Sequence, residues 1–124
     1  MNGIKYLLDT NALILFFQGN PKLKFISFTP SLGISIISII EFLSFTDLNK
    51  ADKDLLYDFI AKIEVAELKK DDNLLINTIT EIRAIYRLKL PDAIIAGTAI
   101  YNNAVLITND KAFSKIPSLK IATF

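Results

Sequence analysis

Cysteine and histidine are both missing from the 124-residue sequence. Without cysteine there can be no disulfide and no thiolate-held metal. Without histidine the usual zinc ligand, the Ser-His and Cys-His nucleophile pairs and the commonest general base near neutral pH are also gone. Any chemistry must therefore use carboxylates, hydroxyls, amides, lysine or a bound ion. A long hydrophobic run is lacking too. The most apolar stretch, Ile34 to Phe45, is interrupted by Ser35, Ser38, Glu41 and Ser44, and it is well short of the ~20 residues a spanning helix needs. The N-terminal Met1-Asn2-Gly3-Ile4-Lys5 carries neither the apolar stretch nor the small-residue cleavage site of a signal peptide. A soluble, cytoplasmic protein without a membrane partner is expected.

What is present is apolar surface in quantity: 52% of the residues are hydrophobic. A chain of this length can bury enough of it to fold without staples. No repeat, low-complexity tract or linker divides the sequence, so residues 1–124 are expected to form one domain. The high apolar content also points to a hydrophobic surface covered by a partner or a second copy. Formal net charge is only +1. Setting aside Asp9, Glu41, Asp92 and Asp110 leaves nine acidic against 14 basic residues, a mildly basic body that suits a phosphodiester substrate.

Apolar runs alternate with helical patterns along the chain. Ile4–Leu8 reads as a strand, Ala12–Phe17 as a short buried helix closed by Gly19-Asn20-Pro21, and Gly33–Ile36 as a strand after a loop around Pro30. Ser38 is expected to open a helix through Glu41 and Phe45. Asp52 begins another, with Leu55, Leu56, Phe59, Ile60 and Ile63 on one face. A strand at Glu64–Leu68 precedes a helix opened by Asp71-Asp72 and striped by Leu75, Ile76, Ile79, Ile82 and Tyr86. Leu90-Pro91-Asp92 interrupts it before a second helix, Ala93–Tyr101. Val105–Ile107 is a strand, a short helix follows Asp110, and Lys120–Thr123 closes as a strand. Strands that are apolar throughout, alternating with helices, specify a parallel sheet covered on both faces.

Binding sites in such sheets form beyond the carboxyl ends of the strands. Asp9 and Asp110 each sit just past a strand, Glu41 follows the second strand by a turn and a half of helix, and Asp92 opens the helix leading back to the sheet. Each has a structural alternative. Ser38-x-x-Glu41 matches a capping box, Asp9 and Asp110 can serve as turn or N-cap residues, and Asp92 after Pro91 suits a helix N-terminus. Four carboxylates in one crevice cannot all stay ionised unaided. Oxygen donors without His or Cys favour Mg²⁺ or Mn²⁺ as the compensating ion, and such an ion can activate water against a phosphodiester.

The same segments carry a family resemblance. Leu8-Asp9-Thr10-Asn11, Ser35-x-x-Ser38-x-x-Glu41, Leu90-Pro91-Asp92-Ala93-Ile94-Ile95-Ala96 and Leu106-Ile107-Thr108-Asn109-Asp110-x-x-Phe113 together resemble PIN-domain proteins of the VapC type, the toxin half of bacterial toxin–antitoxin pairs. The resemblance implies a three-layer α/β/α sandwich around a mostly parallel sheet and Mg²⁺- or Mn²⁺-dependent endonucleolytic cleavage of RNA. It also implies a cognate antitoxin and a homodimer. Asp9, Glu41, Asp92 and Asp110 would be the catalytic, metal-holding quartet, with Thr10, Asn11, Ser38 and Thr108 orienting them or binding water. Asp9, Asp92 and Asp110 would hold the ion; Glu41 would ligate a second ion or help deprotonate the attacking water. Where many relatives carry a further acid two residues after the position of Asp110, this sequence has Ala112, so one ion is expected and a second site lacks that ligand.

Other charged and aromatic residues have simpler readings. Asp71 and Asp72 complement a helix dipole, and Asp52, Asp54, Asp58 and Glu81 read as solvated helix positions. Arg83, Arg87 and Lys89, with Lys111 and Lys115, could grip phosphates, though the first two equally suit a helix C-terminus. Phe16, Phe17, Phe25, Phe28, Phe42 and Phe45 read as core or partner-facing rather than as base-stacking platforms. The competing functional readings are a DNA-directed nuclease or metal-dependent phosphatase, and a catalytically inactive or regulatory PIN-like scaffold. A phospho-accepting receiver would need paired acids after the first strand, where Asp9 stands alone.

Overall fold

The computed structural model describes residues 3–124; Met1 and Asn2 of the N-terminal stretch considered above lie outside it. Five strands, β1 (Tyr6–Leu8), β2 (Leu32–Ser35), β3 (Glu64–Ala66), β4 (Val105–Ile107) and β5 (Lys120–Ala122), form one sheet in the order β3-β2-β1-β4-β5. Every pairing is parallel. The helices are α1 (Thr10–Phe17), α2 (Ile36–Leu43), α3 (Lys50–Ile60), α4 (Asn73–Tyr86) and α5 (Leu90–Tyr101), with 3-10 helices at Pro21–Phe28 and Lys111–Lys115.

The strands are apolar on both sides because both sides are covered. Side chains alternate across a strand, so Leu7 and Leu106 enter one core while Leu8 and Ile107 enter the other, and none is more than 1% exposed. The first core is closed by Leu75, Ile79 and Ile82 of α4 and the Ala- and Ile-rich body of α5. The second is closed by Ala12 and Leu13 of α1, Leu23 and Ile26, Phe42 of α2 and Leu56 of α3. The expected α/β/α sandwich is thereby realised.

Two glycines mark where this packing is tightest. A Cβ on Gly33 in β2 would lie 2.6 Å from Ile4 Cδ1 and 3.0 Å from the Glu64 carbonyl oxygen. One on Gly97 would lie 2.6 Å from Ile79 Cγ1 and 3.2 Å from Ile79 Cα, so α4 approaches α5 to a distance that only glycine permits.

Several element boundaries differ from the sequence reading. Pro21–Phe28 is a 3-10 helix rather than loop, with Asn20 accepting a hydrogen bond from the Lys22 N–H as its cap. An Asn-Pro start is a helix-opening signal, and it was available in the sequence. The capping box that was the structural alternative for Ser38 and Glu41 is not formed. Ser35, the last residue of β2, caps α2 by accepting from the Ile37 N–H, and Ser38 is buried inside the helix. A capping box does form one helix later, between Asn49 and Asp52, so α3 begins at Lys50. Leu90 and Pro91 lie within the first turn of α5, where proline needs no N–H partner. No helix of the described residues is long and apolar enough to cross a membrane.

Candidate active site

The parallel register sets the level of the site. Leu8 pairs with both Ile34 and Ile107, so the residues that follow them, Asp9, Ser35 and Thr108, stand side by side at the carboxyl end of the sheet. From β1 the chain proceeds to β2 and β3 on one side, and α4 and α5 then carry it back to β4 on the other. The strand order therefore reverses between β1 and β4, the switch point at which open parallel sheets form their crevice. Asp9 and Asp110 follow the two strands that flank it.

Hydrogen bonds fix the carboxylates in place. Asp9, only 4% exposed, caps α1: its Oδ1 accepts from the Ala12 N–H at 2.7 Å. Its Oδ2 accepts from the buried Thr108 hydroxyl, and the Thr108 oxygen in turn accepts from the Asp110 N–H at 2.9 Å. Thr108 thus ties the two acids' segments together. Asp110 caps the following 3-10 helix through the Ala112 N–H. Across the crevice Thr10 Oγ1 lies 2.6 Å from Glu41 Oε1 and 2.9 Å from Ser38 Oγ. A hydroxyl has one proton to give, so Thr10 donates to the carboxylate and accepts from Ser38. Ser38 and Glu41, three residues apart on one face of α2, both meet Thr10.

Asp9, Glu41, Asp92 and Asp110 line one pocket of about 230 Å³ together with Thr10, Asn11, Phe45, Ile95 and Phe113. Exposure is graded: Asp9 is buried, Glu41 and Asp92 are half-buried, and Asp110 stands at the mouth. Burial raises the Asp9 pKa above its ordinary value, against the hydrogen bonds from Thr108 and Ala12 and with the charges of Asp110 and Asp92 adding to the rise. Asp92 is raised as well, by burial and then by the charges of Asp110 and Glu41, while Lys89 and Lys115 oppose the shift. Among the described residues the ion pairs are Lys50–Asp54 and Lys69–Glu67, both exposed. Among those residues none of the four acids has a basic partner. Nor, among the described residues, do three acids converge closely enough to make a ready-formed metal cage.

The structural alternatives for Asp9 and Asp110 as helix caps hold as well, yet each cap uses one oxygen and leaves the carboxylate facing the pocket. Of the phenylalanines, Phe16, Phe17, Phe42 and Phe59 form a cluster with ring centroids 5.4–5.8 Å apart, whereas Phe25, Phe28 and Phe45 are exposed. Phe45 joins the acidic pocket to an apolar groove of about 320 Å³ walled by Ile14, Phe17, Phe42, Leu48 and Leu55. Asn109, quoted in the last motif without a role, and Phe124, not noted in the sequence, line an adjoining cavity that shares Asn11 and Asp110 with the site. Their signal is a contact 15 residues apart that no local pattern announces.

Residues 6–119 match the PIN domain family, and the chain belongs to it. No curated protein matches the chain by sequence. Among solved structures, the fold is similar to chains of three complexes. One is VapBC2 from Rickettsia felis bound to a DNA fragment from their promoter, with TM-score 0.80 and 21% identity over 98% of this chain and 99% of that one. Another is DNA-bound VapBC from Salmonella typhimurium, with TM-score 0.80 and 25% identity over 97% and 98%. The third is a toxin–antitoxin complex from Klebsiella pneumoniae, with TM-score 0.78 and 28% identity over 96% and 97%. The resemblance to VapC-type PIN domains carried by the four motifs is borne out in family and fold.

Proposed function

We propose that the chain is a divalent-metal-dependent endoribonuclease, the toxin half of a toxin–antitoxin pair, with Asp9, Glu41, Asp92 and Asp110 as its catalytic and metal-holding acids. The observation that carries this reading is the convergence of four carboxylates from four separate segments on one pocket at the switch point, none with a basic partner among the described residues. The proton affinities of Asp9 and Asp92 are raised by burial and by neighbouring negative charge, the electrostatic condition that a cation relieves. The donors are hard oxygens, suited to Mg²⁺ or Mn²⁺.

When bound, the ion supplies a polarised water and offsets charge on the scissile phosphate. The chain's own residues supply orientation. Asp9 is locked by Ala12 and Thr108, and Thr10 aims Glu41 into the pocket. Asp92 projects from the rigid first turn of α5, and Asp110 is fixed at the mouth. Lys89 and Lys115, close enough to act on Asp92, offer positive charge to phosphates flanking the cut. RNA as substrate and an antitoxin as partner rest on the motifs and on the toxin–antitoxin complexes whose chains share the fold. The groove beyond Phe45 offers an apolar seat next to the acids for such a partner. Exposed Leu74 and Ile85 on α4 suit the homodimer.

The test is cleavage of a mixed RNA substrate, beside duplex DNA, by the purified protein with Mg²⁺, Mn²⁺ or chelator. Metal-dependent cutting of RNA that is lost in Asp92→Asn, with the fold retained, is expected. Equal cutting by both proteins, or cutting that survives chelation, would sink the assignment; cutting of DNA in preference would move it to the DNA-directed reading.

A further inference from the structure

We infer that the cavity beside the acidic pocket, walled by Phe124, is a subsite for the nucleobase next to the cleaved phosphodiester; the inference rests on the nuclease reading above. The cavity, about 530 Å³, is lined by Asn11, Ile14, Leu15, Asn109, Asp110 and Phe124. Asn11 and Asp110 also line the acidic pocket, so the two spaces share a boundary. A strand whose phosphate lies among the acids places a neighbouring nucleoside at that boundary.

The lining has the chemistry of a base site rather than a phosphate site. Ile14, Leu15 and Phe124 give apolar and aromatic lining, and the amides of Asn11 and Asn109 with the Asp110 carboxylate give donors and acceptors. Unpaired bases are held by this combination, stacked on an aromatic ring and hydrogen-bonded along an edge. A second phosphate would be repelled by Asp110. A carboxylate can instead accept from the exocyclic amino group of a base.

Phe124 is held in position. The Asn109 Nδ2 donates to the Phe124 carbonyl oxygen and the Phe124 N–H donates to Asn109 Oδ1, each at 2.8 Å. This two-way bond continues the β4–β5 pairing past Ala122 and fixes half-buried Phe124, which also packs against the second core, as part of the cavity lining. It leaves the Asn109 amide largely committed. The exposed Asn11 amide makes no hydrogen bond among the described residues and is free to read a base edge.

The test uses the full chain carrying Asp92→Asn, so that RNA is bound without being cut. Fluorescence anisotropy is measured with an oligonucleotide spanning a mapped cleavage position. The two nucleotides flanking the cut are made abasic in turn. Removing one of the two bases is expected to weaken binding about 5- to 150-fold, the range for losing one stacked base. Phe124→Ala should weaken binding of intact RNA by a similar factor and abolish the penalty for the abasic nucleotide. Phe124→Tyr should restore both. Phe124→Leu, which keeps apolar volume without the ring, gives the same comparison where the alanine variant fails to fold. Losses that multiply, no loss at all, or a loss confined to binding of a protein partner would overturn the subsite. A wild-type protein that cuts RNA but ignores both abasic positions defeats the subsite alone, whereas one that neither cuts nor binds RNA defeats the nuclease reading with it.

Discussion

Thr108→Val removes one buried hydroxyl and leaves the shape of the side chain nearly unchanged. That hydroxyl, 1% exposed, donates to Asp9 and accepts from the Asp110 N–H. A hydrogen bond to a charged group contributes about 1.5–3 kcal/mol net. The Asp110 N–H is only partly buried, so water can replace its partner and the further loss is under about 1 kcal/mol. The expected destabilisation of the metal-free protein near pH 7 is about 2–4 kcal/mol, or about 8–16 °C in Tm for a chain of this length. The pH dependence has a definite sign. Asp9 binds its proton more tightly in the folded protein than at the ordinary value of 3.8. Its protonation therefore gives stability that is present below that value and lost as pH rises through the folded one. The Thr108 hydrogen bond opposes this rise, so removing it raises the Asp9 pKa further. The Thr108→Val penalty is consequently largest with Asp9 ionised and shrinks on acidification through the variant's Asp9 pKa. Urea unfolding with chelator, from pH 7 down to 4, measures it, with Thr108→Ser as the control that keeps the hydroxyl. A penalty independent of pH, or a valine variant as stable as wild type, would refute the role given to Thr108.

Asp92→Asn, expected to abolish cleavage, should also make the metal-free protein more stable at pH 7. It removes a half-buried charge that Asp110 and Glu41 repel, and the advantage should vanish as pH falls through the folded pKa of Asp92. Urea midpoints at several pH values, with chelator, check this. Gly97→Ala should destabilise the fold by up to about 2 kcal/mol, because overpacking against Ile79 costs about 1–3 kcal/mol and helix propensity returns about 1 kcal/mol. A thermal melt of that variant at or above the wild-type midpoint would refute the close α4–α5 approach.

Some of this was legible in the sequence because its causes are local. Apolar runs of strand length mark chain buried on two faces, and β1, β2 and β4 fall where Ile4–Leu8, Gly33–Ile36 and Val105–Ile107 are read. Asp72 and Pro91 announce helix starts through backbone groups only a few residues away. Three acids just beyond strands or at a helix opening and a fourth a turn and a half into a helix, with neither His nor Cys to compete, already narrow the chemistry to oxygen ligands.

Tertiary structure alone decided the rest. A motif spaced like a capping box cannot tell whether its serine caps a helix or is buried within one, and packing against Thr10 drew Ser38 inside while Ser35 took the cap. Strand order, set by which faces α1 to α3 and α4 to α5 must cover, put Asp9 beside Asp110 and created the crevice. The pairing of Asn109 with Phe124 depends on β5 lying next to β4. A sequence determines which residues prefer to be buried, capped or charged; which distant residues become neighbours is fixed only when whole faces are buried together.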